Sequence, residues 1–182
     1  KDVDVRGKVV MIMNDDPSSD PELFAGKTRL FYGRWTYKYE EARRRGAVGA
    51  IIIHTTPSAA YPFQVVQWNH GQERCWLPFV DEKPFELAMW MTEDASRKLA
   101  ALGGRDLDAL RKSAESRDFR PVALDVQVSV ATSNVVRALE SANVVGVMKG
   151  HDPLLQDEAV VVTAHFDHHG IGTPKNGVAH PL

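Results

Sequence analysis

Three consecutive stretches near the start of the chain restrict its fold most. Lys8-Val9-Val10-Met11-Ile12-Met13 is an apolar run that stops at the turn-forming Asn14-Asp15-Asp16-Pro17. Tyr37 to Arg45 has a helical pattern with Gly46 placed just past its C-terminus, and Ala47 to Ile53 is a second apolar run ending at His54. Short apolar runs bounded by turn signals read as strands buried on both faces. With a helix between them the two strands lie parallel, because a parallel pair needs a crossover whereas an antiparallel pair is joined by a hairpin. The expected fold class is therefore α/β (mixed α+β).

The rest of the chain is less regular. Asp20-Pro21 through Gly33 reads as a surface loop, and Pro57 to Pro84, rich in aromatics, Pro and Gln, as loop with short strands. Thr92 is placed to cap a helix with Glu93 and Asp94 in its first turn, where the helix dipole favours negative charge. That helix runs to about Leu102 and stops at Gly103-Gly104; a second runs from about Asp106 to Glu115 with Leu107 and Leu110 on its apolar side. Beyond Pro121 the period changes to two, with Val122, Leu124, Val126, Val128 and Val130 alternating as in a half-buried strand. Ser133–Leu139, Asn143–Lys149 and Glu158–Thr163 are further strand candidates, with a turn at His151-Asp152-Pro153. The change places a domain boundary near 118–124.

Composition narrows the function classes. The 182 residues are 43% hydrophobic and 25% charged, which is ordinary for a globular protein with a real core. A formal net charge of −2 gives no general footprint for nucleic acid or anionic membrane. Arg43-Arg44-Arg45 follows Glu40 and Glu41, a pattern suited to ion pairs along a solvated helix. The single cysteine, Cys75, excludes an intrachain disulfide and reads as an ordinary buried thiol. No apolar run is long enough to span a bilayer. The start at Lys1-Asp2-Val3 reads as that of a processed or excised chain.

The densest chemistry lies at Val160-Val161-Val162-Thr163-Ala164-His165-Phe166-Asp167-His168-His169-Gly170. An apolar strand ending in imidazoles and a carboxylate is where an α/β protein would hold a metal, since ligands gather at the carboxyl ends of strands. Neutral imidazole binds Zn²⁺ directly, and a carboxylate two residues on lies on the same side of an extended chain. Asp167 would either ligate beside His165 or orient that histidine. No Asp or Glu follows Asp167, so further ligands would have to come from elsewhere.

The text Ser133-Asn134-Val135-Val136, Ser141 to Val147, Asp157-Glu158 and Val160 to Asp167 resembles the opening strands of the co-catalytic di-zinc exopeptidases. That family includes bacterial aminopeptidases, glutamate carboxypeptidase and the transferrin receptor. Its first metal motif, Ala-His-x-Asp-His-x-Gly, is matched by Ala164 to Gly170. Upstream, Val5 to Val10, Tyr32 to Ala42 and Gly46 to His54 resemble the protease-associated (PA) domain often inserted in these enzymes. The resemblance implies a PA-like domain over 1–120, and over 121–182 the first strands of an incomplete zinc-exopeptidase catalytic domain. It implies His165 as a ligand of one of two zinc ions and Asp167 as the catalytic carboxylate that orients it. In the family a water activated between the two metals attacks the peptide carbonyl. The family's remaining ligands and general base have no position in this chain, so the chain by itself is expected to be inactive. His169 replaces the usual aliphatic residue, and Val178 to Leu182 departs from the family pattern.

The implied partner is a peptide substrate, with aminopeptidase action favoured over carboxypeptidase action and a secreted or periplasmic location at family level only. No nucleic-acid partner or membrane span is expected, and the exposed apolar strands make a homodimer plausible. Two other readings stand beside this one. One is a non-catalytic PA-type protein- or peptide-binding module from a metal-free relative. The other is a metallo-β-lactamase-like hydrolase, disfavoured because Thr163 sits where that motif needs its first His. His54, Trp68, Trp76 and Trp90 read as structural residues. Arg34, Trp35 and Tyr37 are candidates for a cleft-facing surface, with packing the stronger expectation.

Overall fold

A computed structural model describes residues 3–22, 24–75 and 85–165. The chain separates into two compact units, Lys1–Arg137 and Ala138–Leu182. The first is α/β: three parallel strands in the order β1 (Val9–Met13), β2 (Gly49–His54), β3 (Leu87–Thr92). The expected crossover is present: α1 (Trp35–Arg44) connects β1 to β2. Its C-terminus closes as a Schellman motif, with Gly46 N–H donating to Arg43 O at 2.8 Å and Ala47 N–H to Ala42 O at 3.0 Å. Gly46 has φ +81°, and a Cβ there would lie 2.8 Å from Arg6 Cγ, so both the turn and the packing call for glycine.

Every residue of β2 is buried, as a central parallel strand covered on both faces must be. On one face Ala42 and Tyr39 of α1 pack with Val10, Ile12, Ala50 and Phe85. On the other, Ala100 of α4 (Glu93–Leu102) and Leu107 of α5 (Leu107–Ala114) pack with Met11, Met13 and Ile53. Alternation along β1 and β2 thus sends even-numbered residues to α1 and odd-numbered residues to α4 and α5. Both later helices are capped as their sequence requires: Thr92 Oγ1 accepts from Ala95 N–H at 3.2 Å, and Asp106 Oδ1 from Ala109 N–H at 2.7 Å.

Two expectations are corrected. Within 57–75 the chain forms helices α2 (Thr56–Ala59) and α3 (Phe63–His70) rather than short strands; residues 76–84 lie outside the described residues. Thr55 caps α2 through Ser58 N–H, and in α3 only Val66 is buried, so there is no apolar stripe for the sequence to display. The second correction concerns 122–163, where no strand forms among the described residues. Alternation marks a face, but a strand also needs a neighbour to take its N–H and C=O groups. Leu124 and Val126 do alternate as half-buried residues, and Leu124 passes so close to the end of α4 that a Cβ on Gly103 would lie 2.2 Å from its carbonyl oxygen. In the second unit the described residues 138–165 hold a turn at 151–157, where Asp152 Oδ1 accepts from Leu154 N–H at 2.8 Å.

Candidate functional site

At the carboxyl ends of the parallel strands the sequence switches from apolar to polar. β1 is followed by Asn14-Asp15-Asp16, β2 ends in His54 followed by Thr55, and β3 ends in the capping Thr92. Asn14 and His54 each stand one residue past the paired Met13 and Ile53, so they share this edge of the sheet. Both are 3% exposed, and among the described residues neither Asn14 Oδ1 nor His54 Nε2 has a hydrogen-bond partner. Buried polar atoms rarely stay unpaired, because desolvation is then uncompensated. The His54 ring is boxed by Tyr61, Phe63 and Trp90, with centroids at 5.7, 5.3 and 6.0 Å. His54 and Trp90 thus pack in one aromatic cluster, with His54 Nε2 left without a hydrogen-bond partner among the described residues.

Asp15 and Asp16 meet a set of cations. Asp16, buried, accepts from Leu30 N–H at 3.1 Å, and Gly33 lies against it with no room for a Cβ. Arg29 pairs with Asp15 at 3.3 Å and donates to Asn14 O. Burial holds the Lys38 ammonium below the usual lysine range; the Asp16 and Asp15 charges oppose that shift and Arg29 adds to it. On the outer side of this turn an open cleft of about 430 Å³ is lined by Arg29, Leu30, Phe31 and Arg34. Trp35 packs on Tyr39 and Trp90, and Tyr37 on Phe31 and Tyr32, so of the three candidate cleft residues only Arg34 lines the opening.

The predicted metal residues are not brought together by the described structure. His165 is exposed on a segment without regular secondary structure, and Asp167, His168 and His169 lie outside the described residues. Among the described residues no three His, Cys, Asp or Glu side chains stand close enough to hold a metal ion, so these residues alone do not make a zinc site. Cys75, expected to be buried, is exposed, and so is Trp68; Trp76 lies outside the described residues. The Asn14–Asp16 cluster passed as a simple turn in the sequence. Its signal was its place directly after an apolar strand of a parallel sheet. No described helix is long and apolar enough to cross a membrane. Comparison with protein-family models, with curated proteins and with solved structures finds no match.

Proposed function

We propose that this chain contributes to a zinc-dependent exopeptidase of aminopeptidase type, with His165 as a metal ligand and Asp167 as the carboxylate that orients it. The observation that carries this reading is the text Val160 to Gly170, an apolar run leading into His-x-Asp-His-x-Gly. The parallel strand–helix–strand unit at the front of the chain is compatible with it and says nothing of the chemistry. The described residues do not complete a metal centre, so the remaining donors of the two expected zinc ions come from outside this set. A peptide is the proposed substrate. Pairing of the exposed runs around Val135, Val144 and Val160 with a second copy is the proposed route to a homodimer.

The test uses the natural gene product that carries this sequence. Bound zinc and release of N-terminal residues from an aminoacyl and dipeptide panel are measured for the parent, His165→Ala and Asp167→Asn. His165→Ala is expected to abolish both zinc retention and turnover. Asp167→Asn is expected to weaken zinc binding by roughly 10- to 100-fold, as loss of an orienting carboxylate does. Zinc content and turnover untouched by His165→Ala would overturn the reading.

A further inference from the structure

From Phe24 to Tyr39 the chain carries Lys27, Arg29, Arg34 and Lys38 and no acidic residue. The acids that face this stretch, Asp15 and Asp16, are already engaged by Arg29 and the Leu30 amide. Arg34 is exposed and among the described residues has no ion pair. It stands at the N-cap of α1, whose first turn has no acidic residue and no side-chain cap, so helix dipole and guanidinium add at one place. Beside it Phe31 is 53% and Tyr32 46% exposed, and both make edge contacts with Tyr37 at 5.6 and 5.0 Å. Exposed aromatics next to an arginine with no ion pair, at an open cleft, have the composition of an interface centre.

We propose that the cleft between Phe31 and Arg34 is a docking site for a partner-protein segment that presents a carboxylate beside an apolar side chain. The carboxylate meets Arg34 and the free N–H groups of α1, and the apolar side chain lies on Phe31 and Tyr32. Charge complementarity selects an acidic partner. The ring contacts favour a peptide over a stacked nucleic acid: Tyr37 is set at 68° and 78° to Phe31 and Tyr32, and Phe24 at 59° to Tyr32, so these aromatic pairs meet edge-on or tilted and none is a parallel stack. This inference is independent of the peptidase reading, since it involves neither His165 nor Asp167.

The experiment is fluorescence anisotropy with a labelled peptide, Gly-Leu-Asp-Phe-Asp-Leu-Gly, its Asp→Asn counterpart, and a labelled thymidine oligonucleotide. Each is titrated with the parent chain, Arg34→Glu, Arg34→Lys, Phe31→Ala and, as a remote cation control, Arg44→Ala. Far-UV circular dichroism checks that each variant is folded. The acidic peptide is expected to bind and to lose about fivefold or more in affinity on Arg34→Glu. Phe31→Ala and the amide peptide are expected to show comparable losses, while Arg34→Lys retains most of the binding and Arg44→Ala changes nothing. No binding of the acidic peptide, equal binding of both peptides, or indifference to Arg34→Glu overturns the proposal. Tighter binding of the oligonucleotide than of the peptide overturns it in favour of nucleic acid.

Discussion

Gly103→Ala tests whether the extended segment after Pro121 belongs to the α/β unit. Gly103 ends α4 with φ −87° and ψ 13°, a conformation alanine adopts without strain. Backbone alone would make the exchange stabilising by about 0.4–1 kcal/mol, because the unfolded chain loses freedom. Packing opposes it: the new Cβ would stand 2.2 Å from Leu124 O, 3.0 Å from its carbonyl carbon and 3.1 Å from its Cα. These are main-chain atoms, so relief requires moving a backbone rather than rotating a side chain. If both elements hold, overpacking costs roughly 1–3 kcal/mol. If the segment lifts away, the unit loses the burial of Leu124 and Val126, again about 1–3 kcal/mol for two half-buried side chains. Either route leaves a net destabilisation of about 1–2 kcal/mol, or roughly 3–10 °C in melting temperature for a unit of this size. Urea unfolding measures the loss, and limited proteinase K digestion within Val122–Val130 separates the routes, since only a lifted segment is cut faster. Gly104→Ala separates strain from packing: with φ +66° and nothing within 4 Å of the added methyl, it should lose about 1 kcal/mol from backbone strain alone and show no new cleavage. A Gly103→Ala variant as stable as the parent, with no new cleavage, would refute the placement of Leu124 on α4.

Ile52→Ala removes a fully buried side chain from the central strand and is expected to cost about 2–5 kcal/mol by urea unfolding. Tyr39→Phe deletes the hydroxyl that donates to Met89 O at 2.9 Å, with an expected loss of about 1 kcal/mol. Burial pushes the Tyr39 phenol above the ordinary tyrosine range, so the folded state holds its proton more tightly than the unfolded chain. Its contribution is full below about pH 10 and is lost as pH rises further, and ultraviolet titration should find this tyrosinate forming after the others. Asp20 and Asp108 are held below the usual carboxylate range, Asp20 chiefly by the Arg117 guanidinium and Asp108 by that of Arg97. Their contribution is present above about pH 4 and lost as pH falls, so Asp108→Asn should remove a small contribution at pH 7, leave the acid end unchanged and thereby flatten the acid limb of a pH–stability profile.

How much of this was legible in the sequence depended on where each element finds its support. β1, α1 and β2 were readable because Val9–Met13, the Tyr37–Arg45 pattern and Gly46 each declare a local state that the tertiary structure keeps. α4 and α5 were readable for the same reason, with Thr92 and Asp106 as caps and Gly103-Gly104 as the stop. β3 was not, since Leu-Ala-Met-Trp-Met has good helix formers and no β-branched residue; pairing along β2 from Leu87 to Thr92 overrides that preference. The Asn14–Asp16 cluster was legible as a turn but not as a buried one, because its burial depends on Leu30 and Gly33 folding back over it from distant positions.

The segment from 122 to 163 shows the opposite failure: a clear period without the pairing it implies. Val160, Val161 and Val162 are 96%, 78% and 90% exposed, so the run has neither a covered face nor a backbone partner among the described residues. That links the strand question to the metal question. His165 lies three residues past this run, and its direction is defined only once Val160–Val162 is held in a sheet, because a ligand's position is set by the rigid element that carries it. A zinc centre at His165 therefore requires that the apolar run pair first. Binding a strand partner and binding zinc should then be coupled, each strengthening the other by the same factor. Hydrogen exchange at the Val160–Val162 amides, measured with and without zinc on the natural gene product, reads that coupling directly. Protection that appears with metal and disappears in His165→Ala is the expected result. Amides that exchange alike in all three samples would separate the strand from the site and leave the motif without a scaffold.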